Sequence, residues 1–225
     1  MGNGLVTRVS YCVGVLAICA IANAARAVEL DIPSEILENS PVLQEWQQEI
    51  PDILEEIKTD PSFRTRLRGG YSEFPSTNDR GGFHLGVEDW FIGETGLTVS
   101  GGYRGSFDGA RSHVGVNLRY HLLPLGWHAN IAPVLGYHHF GTPDYSRGGV
   151  AIGARLLIIP SRGGGADLSL SHVFISPGSD EEIGLTTLSM GYALTENLRL
   201  ATDIEKQNSR ERKDSSVGVS LEWMF

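Results

Sequence analysis

The feature that most constrains the fold is a period-two alternation that begins near Phe63 and continues to the last residue, Phe225. Side chains of a β-strand point alternately to opposite faces, so apolar residues at every second position indicate strands with one apolar face. Ten such runs can be laid out, at approximately 63–73, 82–91, 97–107, 112–122, 127–138, 148–158, 166–174, 183–193, 198–206 and 215–225. Their lengths match the ~9–11 residues of a tilted membrane-crossing strand. The alternation therefore predicts an all-β chain of about ten strands.

The connections between these runs predict that the strands close into a barrel. Tight turns at 92–96, 123–126, 159–165 and 194–197 alternate with longer, more polar connections at 74–81, 139–147, 175–182 and 207–214. An even strand number, with both chain ends on the short-turn side, is typical of transmembrane barrels. We therefore expect residues 61–225 to form a closed antiparallel transmembrane β-barrel. The alternative is a soluble barrel, which would turn its apolar face inward.

The N-terminus indicates export from the cytoplasm. Arg8 precedes an apolar run at 9–21, and small-residue cleavage sites end at Ala24 and Ala27. This is the pattern of a secretory signal peptide, which we assign to residues 1–27. A membrane anchor and a lipoprotein signal around Cys19 are the alternatives. The only other cysteine, Cys12, also lies in this segment, so the predicted mature chain forms no disulfide.

Residues 28–60 differ from the rest of the chain in charge and in period. Their one basic residue is Lys58, and their ten acidic residues are Glu29, Asp31, Glu35, Glu38, Glu45, Glu49, Asp52, Glu55, Glu56 and Asp60. Ser40 and Pro41 form a helix start signal, and Pro51 would kink or divide the helix. One helical face is apolar and carries Leu43, Trp46, Ile50, Ile53, Leu54 and Ile57. We predict an acidic amphipathic helical segment on the periplasmic side of the barrel.

The aromatic residues of the predicted barrel fall into two belts. Those that point outward near the longer connections are Tyr71, Tyr103 and Tyr137. Those that point outward near the tight turns are Phe91, Tyr120, Trp127, Tyr192, Trp223 and Phe225. Aromatic girdles at the two membrane interfaces are typical of transmembrane barrels, because amphipathic rings favour the headgroup level. The belts therefore favour the membrane barrel over the soluble one.

The predicted inner face is polar and rich in arginine. Its lumen-lining residues are Arg64, Arg66, Arg68, His84, Glu88, Arg104, His113, Asn117, Arg119, His121, His138, Arg155, Asp167, Arg199, Asp203, Glu205 and Glu222. Seven arginines against five carboxylates predict a small polar channel with a weak preference for anions. The alternative is a lumen that arginines and carboxylates fill by pairing with one another. Full neutralisation of the arginines would favour the filled, non-conducting barrel.

No catalytic constellation is evident, so we expect the protein not to be an enzyme and to use no metal or cofactor. Outer-membrane aspartyl proteases also have ten strands, but the nearest cluster here, His138, His139 and Asp144, lacks a partner acid pair. Ser171 and His172 are adjacent, and neighbouring residues of a strand point to opposite faces. The same argument makes His138 and His139 a poor metal site.

The last ten residues resemble a known C-terminal signal that indicates a cellular location. Ser216 to Phe225 alternate strictly except at Met224 and end on an aromatic residue, which resembles the C-terminal signal of bacterial outer-membrane β-barrels. This resemblance implies the outer membrane as the location, outer-membrane lipid as the surroundings and the barrel-assembly machinery as a partner. The chain also resembles small uncharacterised barrel proteins of cyanobacterial envelopes, through residues 32–35 (IPSE), 60–63 (DPSF) and 222–225 (EWMF).

The sequence thus favours a porin-like outer-membrane barrel that acts as a small polar diffusion channel, capped or gated by residues 28–60. A second interpretation is a non-conducting structural or interaction barrel that uses residues 28–60 to contact a periplasmic partner. A third is a lipid- or peptide-modifying envelope enzyme. The chain has 18 basic and 27 acidic residues, a balance that does not indicate nucleic-acid binding.

Overall fold

The structure, a computed structural model, describes residues 60–77, 80–93, 95–142, 146–161, 163, 165–209 and 213–225. These residues form a closed antiparallel barrel in which each strand pairs with its neighbours in sequence and β1 pairs with β10. The strands are β1 (Arg66–Phe74), β2 (Arg80–Phe91), β3 (Leu97–Ser106), β4 (Ser112–Tyr120), β5 (Ala129–Gly141), β6 (Ser146–Ser161), β7 (Ala166–Ile175), β8 (Ile183–Ala193), β9 (Leu198–Ser209) and β10 (Lys213–Met224). The predicted ten-stranded antiparallel barrel is confirmed.

Two of the predicted segments lie outside this description. The predicted signal peptide, 1–27, and all of the predicted acidic helical segment except Asp60 belong to residues that the structure does not describe. Within the described ranges, no helix is both long and apolar enough to cross a membrane.

The two ends of the barrel differ less than the sequence predicts. We call the end where β1 begins and β10 ends the proximal end, and the opposite end the distal end. The connections at the distal end are 75–79, 107–111, 142–145, 176–182 and 210–212, and those at the proximal end are 92–96, 121–128, 162–165 and 194–197. The predicted contrast between tight turns and longer loops is therefore wrong. Strands such as β6 and β9 continue past the apolar runs, because polar residues extend the hydrogen-bonded ladder at the distal end.

The residues that alternate in the sequence point alternately into the lumen and to the outer surface of the barrel. In β10, for example, Val217, Val219 and Leu221 are exposed on the outer surface, whereas Ser216, Ser220 and Glu222 are buried in the lumen. The same division holds in the other strands, so the exposed surface is mainly apolar and the interior is mainly polar, with buried apolar clusters toward its two ends. This is the reverse of a soluble barrel, in which the apolar face fills the interior.

A β-bulge near the proximal end of β2 breaks the alternation. The register between β2 and β3 shifts between Val87 and Trp90, and Asp89 adopts a positive φ of 53°. A bulge places two residues of one strand opposite one residue of its partner, which reverses the facing of everything beyond it. Glu88 and Asp89 therefore both face the lumen, and Trp90 is exposed on the outer surface.

Because of the bulge, the prediction for one residue of the aromatic belts is wrong. Phe91 does not face outward, because the reversal turns it toward the interior, where its ring lies 5.3 Å from that of Phe63. Phe63 itself precedes β1 and packs with Leu125, Leu157 and Ile159 in an apolar cluster at the proximal end, the proximal cap. The backbone N–H of Ser62 donates to the carbonyl of Leu125 at 2.9 Å and holds this segment in place.

A charge-paired lumen as the candidate functional site

The lumen contains equal numbers of arginines and carboxylates among the described residues. The buried or partly buried inward arginines are Arg66, Arg68, Arg104, Arg111, Arg119, Arg155 and Arg199. The inward carboxylates are Glu88, Asp89, Asp167, Asp203, Glu205, Asp214 and Glu222. Each of these arginines lies within 4.0 Å of at least one of these carboxylates.

Asp89 is the centre of the proximal layer. Its Oδ1 accepts from Arg155 Nη1 at 2.7 Å and from Arg119 Nη1 at 3.1 Å, and its Oδ2 accepts from Arg66 Nη2 at 3.0 Å. The backbone N–H of Asp89 donates to Ser100 Oγ at 2.9 Å, which fixes the bulge against β3. Asp89 is fully buried, so the three guanidinium groups, rather than water, stabilise its charge.

The neighbouring layer joins β1, β7, β9 and β10. Arg66 and Arg199 both donate to Asp167, and Arg199 Nε lies 3.3 Å from Glu222 Oε2. The side chain of Arg199 is completely buried, although it is long and carries a charge. Shared carboxylates of this kind hold several strands to one another through side chains as well as through the backbone ladder.

Farther from the proximal end, Arg68 lies 2.5 Å from Asp203, 3.4 Å from Glu222 and 3.6 Å from Glu88. The hydroxyl of Ser189 donates to the other oxygen of Asp203. Arg68 thus connects the proximal carboxylates with those of β9.

The distal part of the lumen combines ion pairs with histidines. Arg104 lies 3.2 Å from Glu205 and donates to Ser216 Oγ at 2.7 Å. His113 Nε2 is 2.9 Å from His138 Nδ1, and the Nε2 atom of the latter ring is 2.9 Å from Asn117 Oδ1.

Nearest the distal end, Arg111 pairs with Asp214 at 3.3 Å and donates to Gln207 Oε1 at 3.1 Å. Its guanidinium also lies 5.2 Å from the centre of the Phe74 ring, within the range of a cation–π contact. Arg111 thereby connects the start of β4 with β1, β9 and β10.

Inward glycines provide the space for these long side chains. A Cβ added at Gly191 would collide with the guanidinium of Arg199, and one added at Gly115 would lie 2.5 Å from His138 Nδ1. A narrow barrel can bury long polar side chains only where neighbouring positions are small. The glycines are therefore part of the packing of the charged interior.

A cavity of about 150 Å³ lies in the lumen of the described part of the barrel. It lies between the charged layers and is bordered by the small polar residues Ser169, Ser171, Thr187 and Ser189 of β7 and β8. The proximal cap lies on one side of it. Toward the distal end, Val134, Phe140, Ala151, Val173, Ile175, Ile183 and Leu185 form a second buried apolar cluster. Among the described residues, no group of three or more His, Cys, Asp and Glu side chains has the arrangement of a metal site.

The structure brings most of the predicted lumen residues together, with one exception. Arg64 precedes β1 and is exposed, so it does not line the lumen. His121 follows β4 and is buried at the proximal end, 4.8 Å from the Phe63 ring between ring centres. His84 is buried with its Nδ1 2.8 Å from Ser72 Oγ.

Three lumen residues, Arg111, Asp214 and Asp89, were not predicted from the sequence. Arg111 and Asp214 each lie one residue before a predicted strand, and extending the alternation by one position would have included them. Asp89 gave no such signal, because strict alternation places it outside when Glu88 is inside. With Arg64 removed and these three added, seven arginines face seven carboxylates, and the predicted excess of positive charge disappears.

Eight of the nine predicted belt residues are exposed on the outer surface. They are Tyr71, Tyr103, Tyr137, Tyr120, Trp127, Tyr192, Trp223 and Phe225. Trp90 is exposed in place of Phe91. His172 also faces outward, and its Nδ1 is 2.8 Å from Thr186 Oγ1 on β8.

The fold and the lumen together define a closed ten-stranded barrel with an apolar exterior and a charged, paired interior. No family model matches the sequence, and no curated protein matches it. Solved structures of bacterial outer-membrane barrels resemble it in architecture at low sequence identity.

Three of these solved structures show how similar the barrels are in backbone and in sequence. The outer-membrane phospholipase A of Escherichia coli has a TM-score of 0.38 and 12% identity, over 72% of this chain and 96% of that chain. An anion-selective porin from Comamonas acidovorans has a TM-score of 0.37 and 12% identity, over 64% of this chain. The match spans 48% of the porin, about half of its length. Ail, the attachment invasion locus protein of Yersinia pestis, has a TM-score of 0.31 and 11% identity, over 72% of this chain and 99% of that chain.

Proposed function

We propose that the protein is a non-conducting barrel of the bacterial outer membrane that anchors the acidic segment 28–60 at the periplasmic side, where this segment contacts a partner. The observation that carries the proposal is the complete pairing of the luminal arginines with carboxylates. An interior whose arginines and carboxylates are paired serves the barrel as a core around the cavity of about 150 Å³.

The outer surface supports the membrane location. Leu, Ile, Val and aromatic side chains are exposed around the barrel, on all ten strands or the connections next to them. A continuous apolar exterior of this extent is unfavourable in water and favourable in a bilayer. The predicted signal peptide and the resemblance of the C-terminal strand to an assembly signal agree with this location. In this orientation the proximal end faces the periplasm.

The layered interior supports the absence of conduction. An ion that entered from the proximal end would have to displace the proximal cap and then separate the three arginines from Asp89. Breaking one buried ion pair costs about 3–5 kcal/mol, because it leaves an uncompensated charge. The second apolar cluster covers part of the distal lumen.

A diffusion channel is the second candidate, and the cavity of about 150 Å³ favours it. Its polar lining would hold water, and the lumen would conduct if the proximal cap opened. No enzymatic reaction is part of either proposal. Ser171 borders the cavity whereas His172 faces outward, so these two residues do not form a serine–histidine pair.

Single-channel conductance in a planar bilayer distinguishes the candidates. The chain from residue 28 onward would be compared with a chain that lacks residues 28–60. We expect no steady conductance from either. Conductance from the truncated chain alone would instead support a channel capped by its own acidic segment, and conductance from both would support an open channel.

The matched control is a variant that should open the lumen. Asp89→Ala with Arg155→Ala removes one pair of opposite charges together with its bulk and keeps the net charge unchanged. Conductance from this variant alone would show that the assay detects a pore of this size and that the paired layer blocks it.

A further inference from the structure

We propose that the outer surface at the distal end of β8, β9 and β10 binds the phosphate head group of an anionic membrane lipid, with Lys206 and Lys213 as the cationic contacts. The inference rests on the membrane location proposed above, because it requires this surface to face lipid. It adds a ligand class that the barrel fold itself does not imply.

The register of the sheet brings the two lysines to one patch. Lys206 of β9 lies opposite Thr186 on one side and Ser215 on the other. Lys213 begins β10 and lies opposite Asn208 of β9. Both lysines are exposed, and both point outward because their neighbours Glu205, Gln207 and Asp214 face the lumen. Side chains directly opposite one another on neighbouring strands are within about 5.5 Å at Cβ, so these residues form one continuous polar surface.

The two lysines are not neutralised by the part of the protein that the structure describes. Neither forms an ion pair there. Other basic residues at the distal end do: Arg80 pairs with Asp108 at 2.6 Å, and Arg147 lies 3.9 Å from Glu181. A cation that faces the membrane is unfavourable unless it reaches an anionic group at the interface. Among the described residues these two lysines differ from Arg80 and Arg147 in this respect, and an anionic group at the membrane interface would supply the missing charge.

The surface below the lysines is apolar. One step toward the proximal end, Leu188 of β8, Ile204 of β9 and Val217 of β10 form the next outward row. Ile204 and Val217 are exposed on this face. Lys206 lies directly above this apolar row, and Lys213 lies one outward row farther toward the distal end, opposite Asn208. Cations above an apolar surface match a lipid, which joins an anionic head group to acyl chains. Inorganic phosphate would contact the lysines and leave the apolar row unused.

Hydrogen-bonding groups complete the patch. The pair of His172 and Thr186 lies beside Lys206, on β7 and β8. Gly184 lies opposite Asn208, and a Cβ at this glycine would lie 3.7 Å from His172 Cε1. The missing side chain leaves a shallow recess between His172 and Asn208. In the tautomer in which His172 Nδ1 accepts the Thr186 hydroxyl, Nε2 carries the proton and can donate to a phosphate oxygen.

The test measures which lipids stay bound to the protein. The chain from residue 28 onward would be inserted into vesicles of phosphatidylcholine mixed with phosphatidylglycerol, extracted in mild detergent and weighed by native mass spectrometry. The variant is Lys206→Gln with Lys213→Gln. The control is Arg80→Gln with Arg147→Gln, which also removes two positive charges from the distal end but takes them from ion pairs within the protein.

We expect the unaltered protein and the control to retain phosphatidylglycerol in preference to phosphatidylcholine. Each lysine removed should weaken this retention about fivefold, the effect of one basic residue near an anionic surface. Equal retention by the double lysine variant would overturn the inference. So would equally effective displacement of the lipid by soluble glycerol phosphate, because the site would then bind a free anion rather than a lipid.

Vesicle insertion, followed by protection from added protease, separates this inference from the function on which it rests. Protein that is not protected would contradict the membrane barrel and this site together. Protein that is protected but shows no lipid preference would contradict the lipid site alone.

Discussion

Arg155 of β6 donates to Asp89 of β2 at 2.7 Å across the lumen. These strands are not neighbours in the barrel, so the contact joins walls that the backbone ladder does not connect directly. It exists because a bulge turns Asp89 inward and because Arg155 is long enough to cross a narrow interior. Ion pairs of this kind connect strands across the lumen between the two buried apolar clusters.

Asp89→Asn should destabilise the barrel strongly. The substitution keeps the size of the side chain but removes the charge that three buried arginines share, so we expect the free energy of unfolding to fall by about 3–5 kcal/mol. Urea unfolding in vesicles would measure this change. The control is Asp108→Asn, in the exposed pair with Arg80, where solvent screens the charge and the midpoint should hardly move. Equal shifts for the two variants would argue against a special role for Asp89.

Phe63→Ala should remove the proximal cap without opening a pore. Phe63 is 1% exposed, and truncating a buried phenylalanine costs about 3–5 kcal/mol through lost contacts and a cavity. We still expect no conductance, because the charged layer around Asp89 remains. Phe107→Ala, at a ring that is 69% exposed, is the control for loss of an aromatic side chain and should change unfolding much less. A conducting Phe63→Ala variant would show that the cap, and not the ion pairs, closes the lumen.

The bulge predicts opposite environments for Trp90 and its neighbour Phe91. In a chain whose other tryptophans are replaced by phenylalanine, Trp90 fluorescence should be quenched by lipids with brominated acyl chains. Moving the indole one position, with Trp90→Phe and Phe91→Trp, should largely abolish this quenching, because position 91 packs against Phe63 inside the barrel. Strict alternation without a bulge predicts the reverse order, so the comparison decides between the two registers.

Gly153→Ala should reduce the yield of folded barrel, whereas Gly101→Ala should not. A Cβ at Gly153 would collide with the backbone of β7 at His172 and Val173, which cannot move without disturbing the ladder. Forced overpacking of this kind costs about 1–3 kcal/mol. At Gly101 the nearest atoms would be 3.6 Å away, an ordinary contact. The folded fraction can be measured by the mobility shift of unheated samples on denaturing gels, and similar losses at both positions would contradict the packing described here.

The strands could be predicted from the sequence because their signal is local. Each strand alternates by itself, so every one of the ten lies within three residues of its predicted bounds at both ends. The same periodicity placed most of the lumen residues and eight of the nine belt residues on their correct faces. The lengths of the distal connections were wrong, because polar residues can either form a loop or continue a ladder, and only the neighbouring strand decides which.

The interior could be predicted in composition but not in arrangement. The alternation identified Arg66, Arg119 and Arg155 as inward, yet nothing local showed that they meet on a single carboxylate. That carboxylate, Asp89, faces inward because β2 has one more residue than β3 needs at that point, and a mismatch between two strands cannot be read from either strand alone.

The sequence by itself therefore determined that the chain closes into a ten-stranded barrel with an apolar exterior, since strand period and strand number are properties of consecutive residues. Only the tertiary structure decided that the luminal arginines and carboxylates pair with one another. Pairing depends on which side chains meet across the lumen, and that is set by the register of every strand around the closed barrel.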